Sequence, residues 1–220
     1  MAVALVCGGG GALGTAIVRA LAARGDTVVA ADRTPGEDTP GVTHETADLT
    51  SSDEVAALWD RIEAASETPR WVVNAAGGFR VGDVASSEPD SVRFMSDLNL
   101  GTAWWSCREA ARRLPEGGAI VNVSSKTGLT GGAGSAAYAV AKSGVIRLTE
   151  VLAGELRERR VRVNAVLPSV IDTPANRASM SPEQLKNAVA PADLASVISF
   201  LLSDAAAAVT GAIVPVYGFV

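Results

Sequence analysis

The chain has 220 residues, 48% of them hydrophobic and 20% charged, with a net charge of −5, so it can bury a sizeable core and is too apolar to stay disordered. The acidic balance and the lack of any Lys/Arg block argue against nucleic acid or an anionic membrane as the main partner, because phosphate binding needs clustered cations. Two cysteines, Cys7 and Cys107, make no disulfide framework, and with a single histidine, His44, they are a poor supply of ligands and bases for a zinc site or a Ser-His-Asp triad.

No charged side chain precedes Arg19, so the apolar beginning lacks the positive region of a signal peptide, and its glycines make a poor membrane span. The expectation is a soluble, cytoplasmic protein. AVALVC reads as a short buried strand, CGGGGALG follows it, and TAIVRALAARG is helical. In that order a strand, a glycine loop and a helix present backbone N–H groups at a helix N-terminus, where a pyrophosphate binds. Two registers are open. Gly9, Gly11 and Gly14 satisfy G-x-G-x-x-G, while Gly8, Ala12 and Gly14 resemble a G-x-x-x-G-x-G turn with alanine at the middle position. The candidate cofactor contacts from this loop are Gly8, Gly10, Gly11, Ala12, Leu13 and Gly14.

TVVAAD is a second strand ending at Asp32, eighteen positions beyond Gly14, close to the spacing of a carboxylate that accepts hydrogen bonds from an adenosine ribose. A carboxylate there repels a 2′-phosphate and favours NAD(H). Arg33 beside it offsets part of that repulsion and leaves NADP(H) open. THETADLT is a short strand whose end carries Asp48 and Leu49; Asp48 reads either as a partner for the adenine amino group or as a helix cap. SDEVAALWDRIEAA is an amphipathic helix with acidic residues in its first turn, capped from within Thr50 to Ser52. RWVVNAAGG is a fourth strand running into small residues, Asn74, Ala75, Ala76 and Gly77, that let a ligand approach the backbone.

FRVGDVASSEPDSV is a polar loop, and a long helix is expected from roughly Asp90 to Leu114. Asn99 and Gly101 lie inside it, so Asn99 is either an ordinary polar face position or a local irregularity that holds a water. GGAIVNVSS is the fifth strand, AAYAVAKSGVIRLTEVLAGELRER the helix after it, and VRVNAVLPS the sixth strand. Tyr138 and Lys142 are one helical turn apart on the same face, where an ammonium lowers a phenol's pKa and fits it for acid–base work. Ser125 sits just past the fifth strand and can aim its hydroxyl at the same oxygen. In the tail, Pro174 and Pro182 bracket a polar segment expected to serve as a mobile lid, about residues 172–190, with Asn176 and Arg177 as candidate contacts for a polar substrate group. PADLASVISFLLSD is a last helix and AIVPVYG a last strand.

Strands alternating with helices of ten or more residues predict an α/β fold: one doubly wound parallel sheet covered by helices on both faces, in a single domain over 1–220. Ligands of such sheets sit beyond the strands' carboxyl ends. Cys7, Asp32, Asn74, Ser125 and Pro168 all fall there, which argues for one shared site.

As a set these residues resemble the classical short-chain dehydrogenase/reductase family over nearly the whole chain. CGGGGALG is similar to its cofactor turn, with Cys7 where threonine is usual, and Asn74 to Gly77 is similar to its N-x-A-G element. Asn99, Ser125, Tyr138 and Lys142 fall in the order and spacing of its catalytic tetrad. Pro168 to Thr173 resembles the P-G-x-x-x-T segment that folds over the nicotinamide, with Ser169 replacing glycine. The resemblance implies a seven-stranded Rossmann-type sheet and hydride transfer between a nicotinamide, NAD(H) or NADP(H), and a small-molecule carbonyl or alcohol. By the same implication Tyr138 is the acid or base and Ser125 a donor to the substrate oxygen. Lys142 bonds the nicotinamide ribose and holds the Tyr138 pKa down, Asn99 positions a relay water, and Pro168, Ile171 and Thr173 border the cofactor. A narrower resemblance, in GGGALG, AAGG, Lys126 and DTPANRASMSP, is to the quinonoid dihydropteridine reductases, NADH enzymes that lack the serine. A non-catalytic dinucleotide-binding regulator on the same fold is a further alternative. Apolar surface on the helices from Asp90 and from Ala136 predicts a homodimer or homotetramer.

Overall fold

The computed structural model describes residues 2–34 and 36–219. Seven strands form one all-parallel sheet in the order β3-β2-β1-β4-β5-β6-β7: β1 (Val3–Cys7), β2 (Thr27–Asp32), β3 (Val42–Thr46), β4 (Trp71–Asn74), β5 (Ala119–Val123), β6 (Arg162–Pro168) and β7 (Ile213–Val216). Every residue of β1, β4, β5 and β6 is buried, which is why they read as continuous apolar runs rather than alternating ones. Pro215, which has no N–H to give a ladder, lies in the edge strand β7.

The helices are α1 (Ala12–Ala23), α2 (Ser52–Ala65), α3 (Pro89–Ser96), α4 (Thr102–Arg113), α5 (Lys126–Thr130), α6 (Ala136–Glu155), α7 (Pro174–Ser179), α8 (Pro182–Leu185) and α9 (Pro191–Leu202). Leu13, Ile17 and Leu21 of α1 and Leu194, Ile198 and Leu201 of α9 pack on one face of the sheet. Leu58, Trp59 and Ile62 of α2, Cys107 and Ala110 of α4 and Leu152 of α6 cover the other. Strand order reverses between β1 and β4, which pair Cys7 with Asn74. The chain leaves β1 toward one face and β4 toward the other, so a crevice opens at their carboxyl ends.

Two expectations change, and one helix is added. The long helix over 90–114 is three pieces, because a π-helical turn, Asp97–Gly101, separates α3 from α4. The wider turn cannot satisfy every carbonyl along the axis, and Thr102 Oγ1 donates to Leu98 O at 2.9 Å. The helix expected to reach Arg159 ends at Glu155 and tightens into a 3₁₀ turn at Arg157–Arg159. Residues 126–130, which lie between the expected fifth strand and the helix from Ala136, form α5, whose first turn is capped by Ser125 Oγ accepting from Thr127 N at 3.2 Å. No helix among the described residues is long and apolar enough to cross a membrane.

Candidate active site

Backbone sterics decide the register of the glycine loop. Gly8 has φ +87°, and a Cβ on it would meet Ala76 N at 2.6 Å. A Cβ on Gly9 would meet that of Ala30 at 2.7 Å, and one on Gly14 would lie 2.0 Å from Gly8 O. These three positions admit only glycine, so α1 rests directly on the loop that opens it. Gly11, at φ −71°, is the N-cap and offers no side-chain bond to the helix, so the first N–H groups of α1 remain free for an anion. Asp32 braces the loop: Oδ2 accepts from Gly10 N at 3.1 Å and Oδ1 from Arg33 N at 2.7 Å.

Beyond this loop lie three cavities. The first, about 130 Å³, is bounded by Gly8, Gly11, Asp32, Arg33, Asp48, Leu49 and the Ala75–Gly77 backbone, with Thr50, Leu98 and Thr102 added by the fold. Asp48 both lines it and orders the start of α2. Thr50 N and Oγ1 donate to Asp48 Oδ1 at 2.9 and 2.7 Å, and these bonds hold its carboxyl below the usual carboxylate range. The helix cap is Ser51, which accepts from Glu54 N.

A second cavity, about 410 Å³, gathers Asn99, Ser125, Tyr138 and Lys142 with Leu13, Ala75, Gly77, Pro168, Ile171 and Thr173. Asn99 is buried in the π-helical turn, where its amide holds the loop after β4: Oδ1 accepts from Gly78 N at 3.1 Å, and Nδ2 donates to Gly78 O and Met95 O, both at 3.0 Å. A Cβ on Gly77 would lie 2.8 Å from Asn99 Oδ1 and 3.1 Å from Lys142 Nζ, so glycine there keeps open the point on which the amide and the ammonium converge. Phe79, which the sequence reading passed over, meets Tyr138 edge-on with ring centroids 5.1 Å apart.

The electrostatics differ from the expectation that Lys142 draws the Tyr138 pKa down. Burial raises the phenol above its ordinary value, and the hydrogen bond with Ser125 opposes the rise. The Lys142 ammonium is buried and donates to Val123 O at 2.9 Å, and burial lowers it from 10.5 to about 8. An unfolded lysine keeps its proton up to about 10.5, so between pH 8 and 10.5 the unfolded chain binds more protons and stability rises with pH. The unfolding midpoint of the wild type should therefore gain on that of Lys142→Met across this window. A difference that stays flat with pH would show that the charge is not penalised by burial.

Four of the expected cofactor residues stay outside these two cavities. Gly14 packs against Gly8, Ala12 is exposed as the first residue of α1, and Gly10 borders a separate hollow near His44. Asn74 is turned into the core, where Nδ2 donates to Asn122 Oδ1 at 2.8 Å, and Asn122 Nδ2 donates on to Thr149 Oγ1 at 2.9 Å. It ties β4 to β5 and α6 instead of facing the cleft.

The third cavity, about 360 Å³, opens beside Ser125 and Tyr138. Asn176, Met180, Gln184 and Asn187 close it from the 172–190 segment, which is folded into α7 and α8 with side-chain caps from Thr173 and Ser181. Asn176 Nδ2 donates to Ile171 O at 2.8 Å. Arg177 forks onto Asp172, with Nη2 to Oδ2 at 2.6 Å, and lines none of the three cavities. Among the described residues no three His, Cys, Asp or Glu side chains gather as a metal site.

Residues 10–218 match the family model described as enoyl-(acyl carrier protein) reductase. Carbonyl reductase family member 4 of Danio rerio is 32% identical over 215 residues, covering 91% of each chain. Cis-4-hydroxycyclohexanecarboxylate dehydrogenase of Sinomonas cyclohexanicum is 35% identical and covers 98% of this chain and 95% of its own. Among solved structures, a short-chain type dehydrogenase/reductase from Mycobacterium ulcerans superposes with a TM-score of 0.92 at 30% identity, over 99% of this chain and 88% of that one. The 3-ketoacyl-(acyl-carrier-protein) reductase from Brucella melitensis, complexed with NADH, has a TM-score of 0.91 at 25% identity, over 99% and 97%. With the seven-stranded parallel sheet and the glycine loop beneath its crevice, these matches make the chain a member of the classical short-chain dehydrogenase/reductase family.

Proposed function

We propose that this protein is a nicotinamide-dependent oxidoreductase that interconverts a carbonyl and an alcohol, with Ser125, Tyr138, Lys142 and Asn99 as its working residues. The observation that carries the reading is their convergence on one cavity above the ends of β4, β5 and β6. The residues present fit a dinucleotide: α1 has uncapped N–H groups beside Gly8, and the buried Lys142 ammonium has three N–H donors, of which one is spent on Val123 O. When bound, the nicotinamide supplies or accepts the hydride.

The chain's own part is the proton and the developing charge. Carbonyl reduction builds negative charge on oxygen, and the Ser125 hydroxyl and Tyr138 phenol are donors aimed into that space. A phenol with a raised pKa is protonated through the neutral range, which suits it to give the proton to a forming alkoxide. Lys142 holds a ribose hydroxyl with its remaining donors, and Asn99, fixed on Gly78, orients a water beside Gly77 that returns a proton to Lys142. Residues 172–190 act as the lid of a single-domain enzyme. A dihydropteridine substrate suits the site less well, because protonating a ring nitrogen has no use for Ser125. A purely regulatory role leaves the assembled donors without a task.

Asp32 sets a preference for NAD(H), since its carboxylate, already drawn onto the Gly10 and Arg33 amides, repels a 2′-phosphate. Fluorescence titration should show NADH binding more tightly than NADPH, and NADH should be consumed in the presence of a suitable ketone. Tighter NADPH binding would transfer control of the ribose pocket to Arg33. Trp104, Val140 and Val151 stand exposed on α4 and α6, and a second copy of the chain covers them in the proposed assembly. A sedimentation mass of one chain would contradict it.

A further inference from the structure

We infer that the substrate carries a carboxylate in addition to its reacting carbonyl or alcohol, and that Lys126 is the residue that selects it. This rests on the hydride-transfer reading above and narrows its substrate class. Among the described residues Lys126 is the only one with a charged side chain lining the 360 Å³ cavity beside Ser125 and Tyr138. Among the described residues no Asp or Glu borders that cavity and Lys126 makes no ion pair. Its ammonium is instead seated 5.0 Å from the centroid of the Tyr217 ring. That platform is anchored to the end of β6, because Ser169 Oγ donates to Tyr217 O at 3.0 Å.

A half-buried cation without a counter-ion among the described residues, in a cleft with low-dielectric walls, attracts an anion more strongly than a surface lysine does. The two cations of the lid are not available for this role, since Arg177 is held by Asp172 outside the cavity and Lys186 is exposed and does not line it. Gln184 has its Oε1 engaged by Ser181 N at 2.9 Å, which leaves its Nε2 amide N–H groups as donors toward the cavity. One ammonium beside neutral amides matches the single charge of a carboxylate; a phosphate, with nearly twice the charge, is met by more cations. Phe79, Val170 and Met180 supply apolar wall to cover the carbons between the two ends of such a substrate. The ligand that fits is an oxo or hydroxy acid whose reacting carbon lies at Ser125 and Tyr138 while its carboxylate lies at Lys126.

The test compares 4-oxopentanoate, 5-oxohexanoate and 7-oxooctanoate with their methyl esters, using NADH and NADPH, in the wild type and in Lys126→Met and Lys126→Arg. The acid-to-ester ratio of kcat/KM should favour the acid in the wild type and fall about 10- to 100-fold in Lys126→Met, the range for losing a hydrogen bond to a charged group. Lys126→Arg should restore most of the ratio. Binding of hexanoate against hexanamide to the NADH complex, followed by calorimetry, gives a readout independent of turnover. Ketone turnover with no acid preference, or a ratio unmoved in Lys126→Met, overturns the role of Lys126 and leaves the hydride-transfer reading standing. Hexanoate-selective binding that is lost in Lys126→Met, with no ketone or ester turned over, supports the anion site and overturns the hydride-transfer reading. If neither acid preference nor selective binding is seen, the anion site is refuted.

Discussion

Replacing Tyr138 with Phe is expected to lower kcat by about 10²- to 10⁴-fold, the range supplied by a positioned general acid or base, while NADH binding persists. The substitution removes one oxygen and leaves the ring, so the edge-on contact with Phe79 at 5.1 Å survives. What disappears is the proton source beside Ser125. Because the phenol's pKa is raised by burial, it is the neutral, donating form that is lost, and Ser125 alone cannot replace a group that both donates to the oxygen and gives up its proton. Stopped-flow measurement of NADH oxidation, with fluorescence titration of NADH on the same samples, separates chemistry from binding. Turnover unchanged in the variant would remove Tyr138 from the mechanism.

Gly14→Ala should be the most disruptive small change in the chain. The added methyl would lie 2.0 Å from Gly8 O and 2.8 Å from both Gly8 C and Gly9 Cα. These are backbone atoms, so no rotamer change relieves the clash, and either α1 or the loop must move. Overpacking of this kind costs about 1–3 kcal/mol, and displacing the loop from the α1 N-terminus should weaken NADH binding by about tenfold or more, as each 1.4 kcal/mol is a factor of ten. Gly11→Ala is the control for stability: its Cβ would find only Gly8 O, at 3.5 Å, an ordinary contact. Thermal unfolding of the two variants should place Gly14→Ala well below Gly11→Ala. Equal midpoints would show that α1 does not rest on Gly8 as closely as described.

The two substitutions mark what could and could not be read in advance. Gly14 was recognisable as part of a glycine loop, yet two registers fitted the same letters. Only the approach of Ala76 to Gly8, of Ala30 to Gly9 and of Gly8 itself to Gly14 shows that these glycines are the constrained positions. Tyr138 and Lys142 were legible as a pair because helical spacing alone puts them on one face. Their pKa values were not, since desolvation depends on elements far away in the chain, and it reverses the simple expectation for the phenol. Asn74 shows the same limit: it sits at a strand end, but which way its amide turns depends on Asn122 of the neighbouring strand.

Local rules settle most of the architecture of this protein. Continuous apolar runs become strands buried on both faces, helices between them force parallel crossovers, and small residues gather at the strands' carboxyl ends. Tertiary packing settles the rest: the π-helical turn that swings Asn99 onto Gly78, the burial that depresses Lys142, and the placing of Lys126 in a cavity with no counter-charge among the described residues. The physical reason is range. Backbone periodicity acts over a few residues, whereas desolvation and close backbone approach are set by whatever the whole chain brings within a few ångströms.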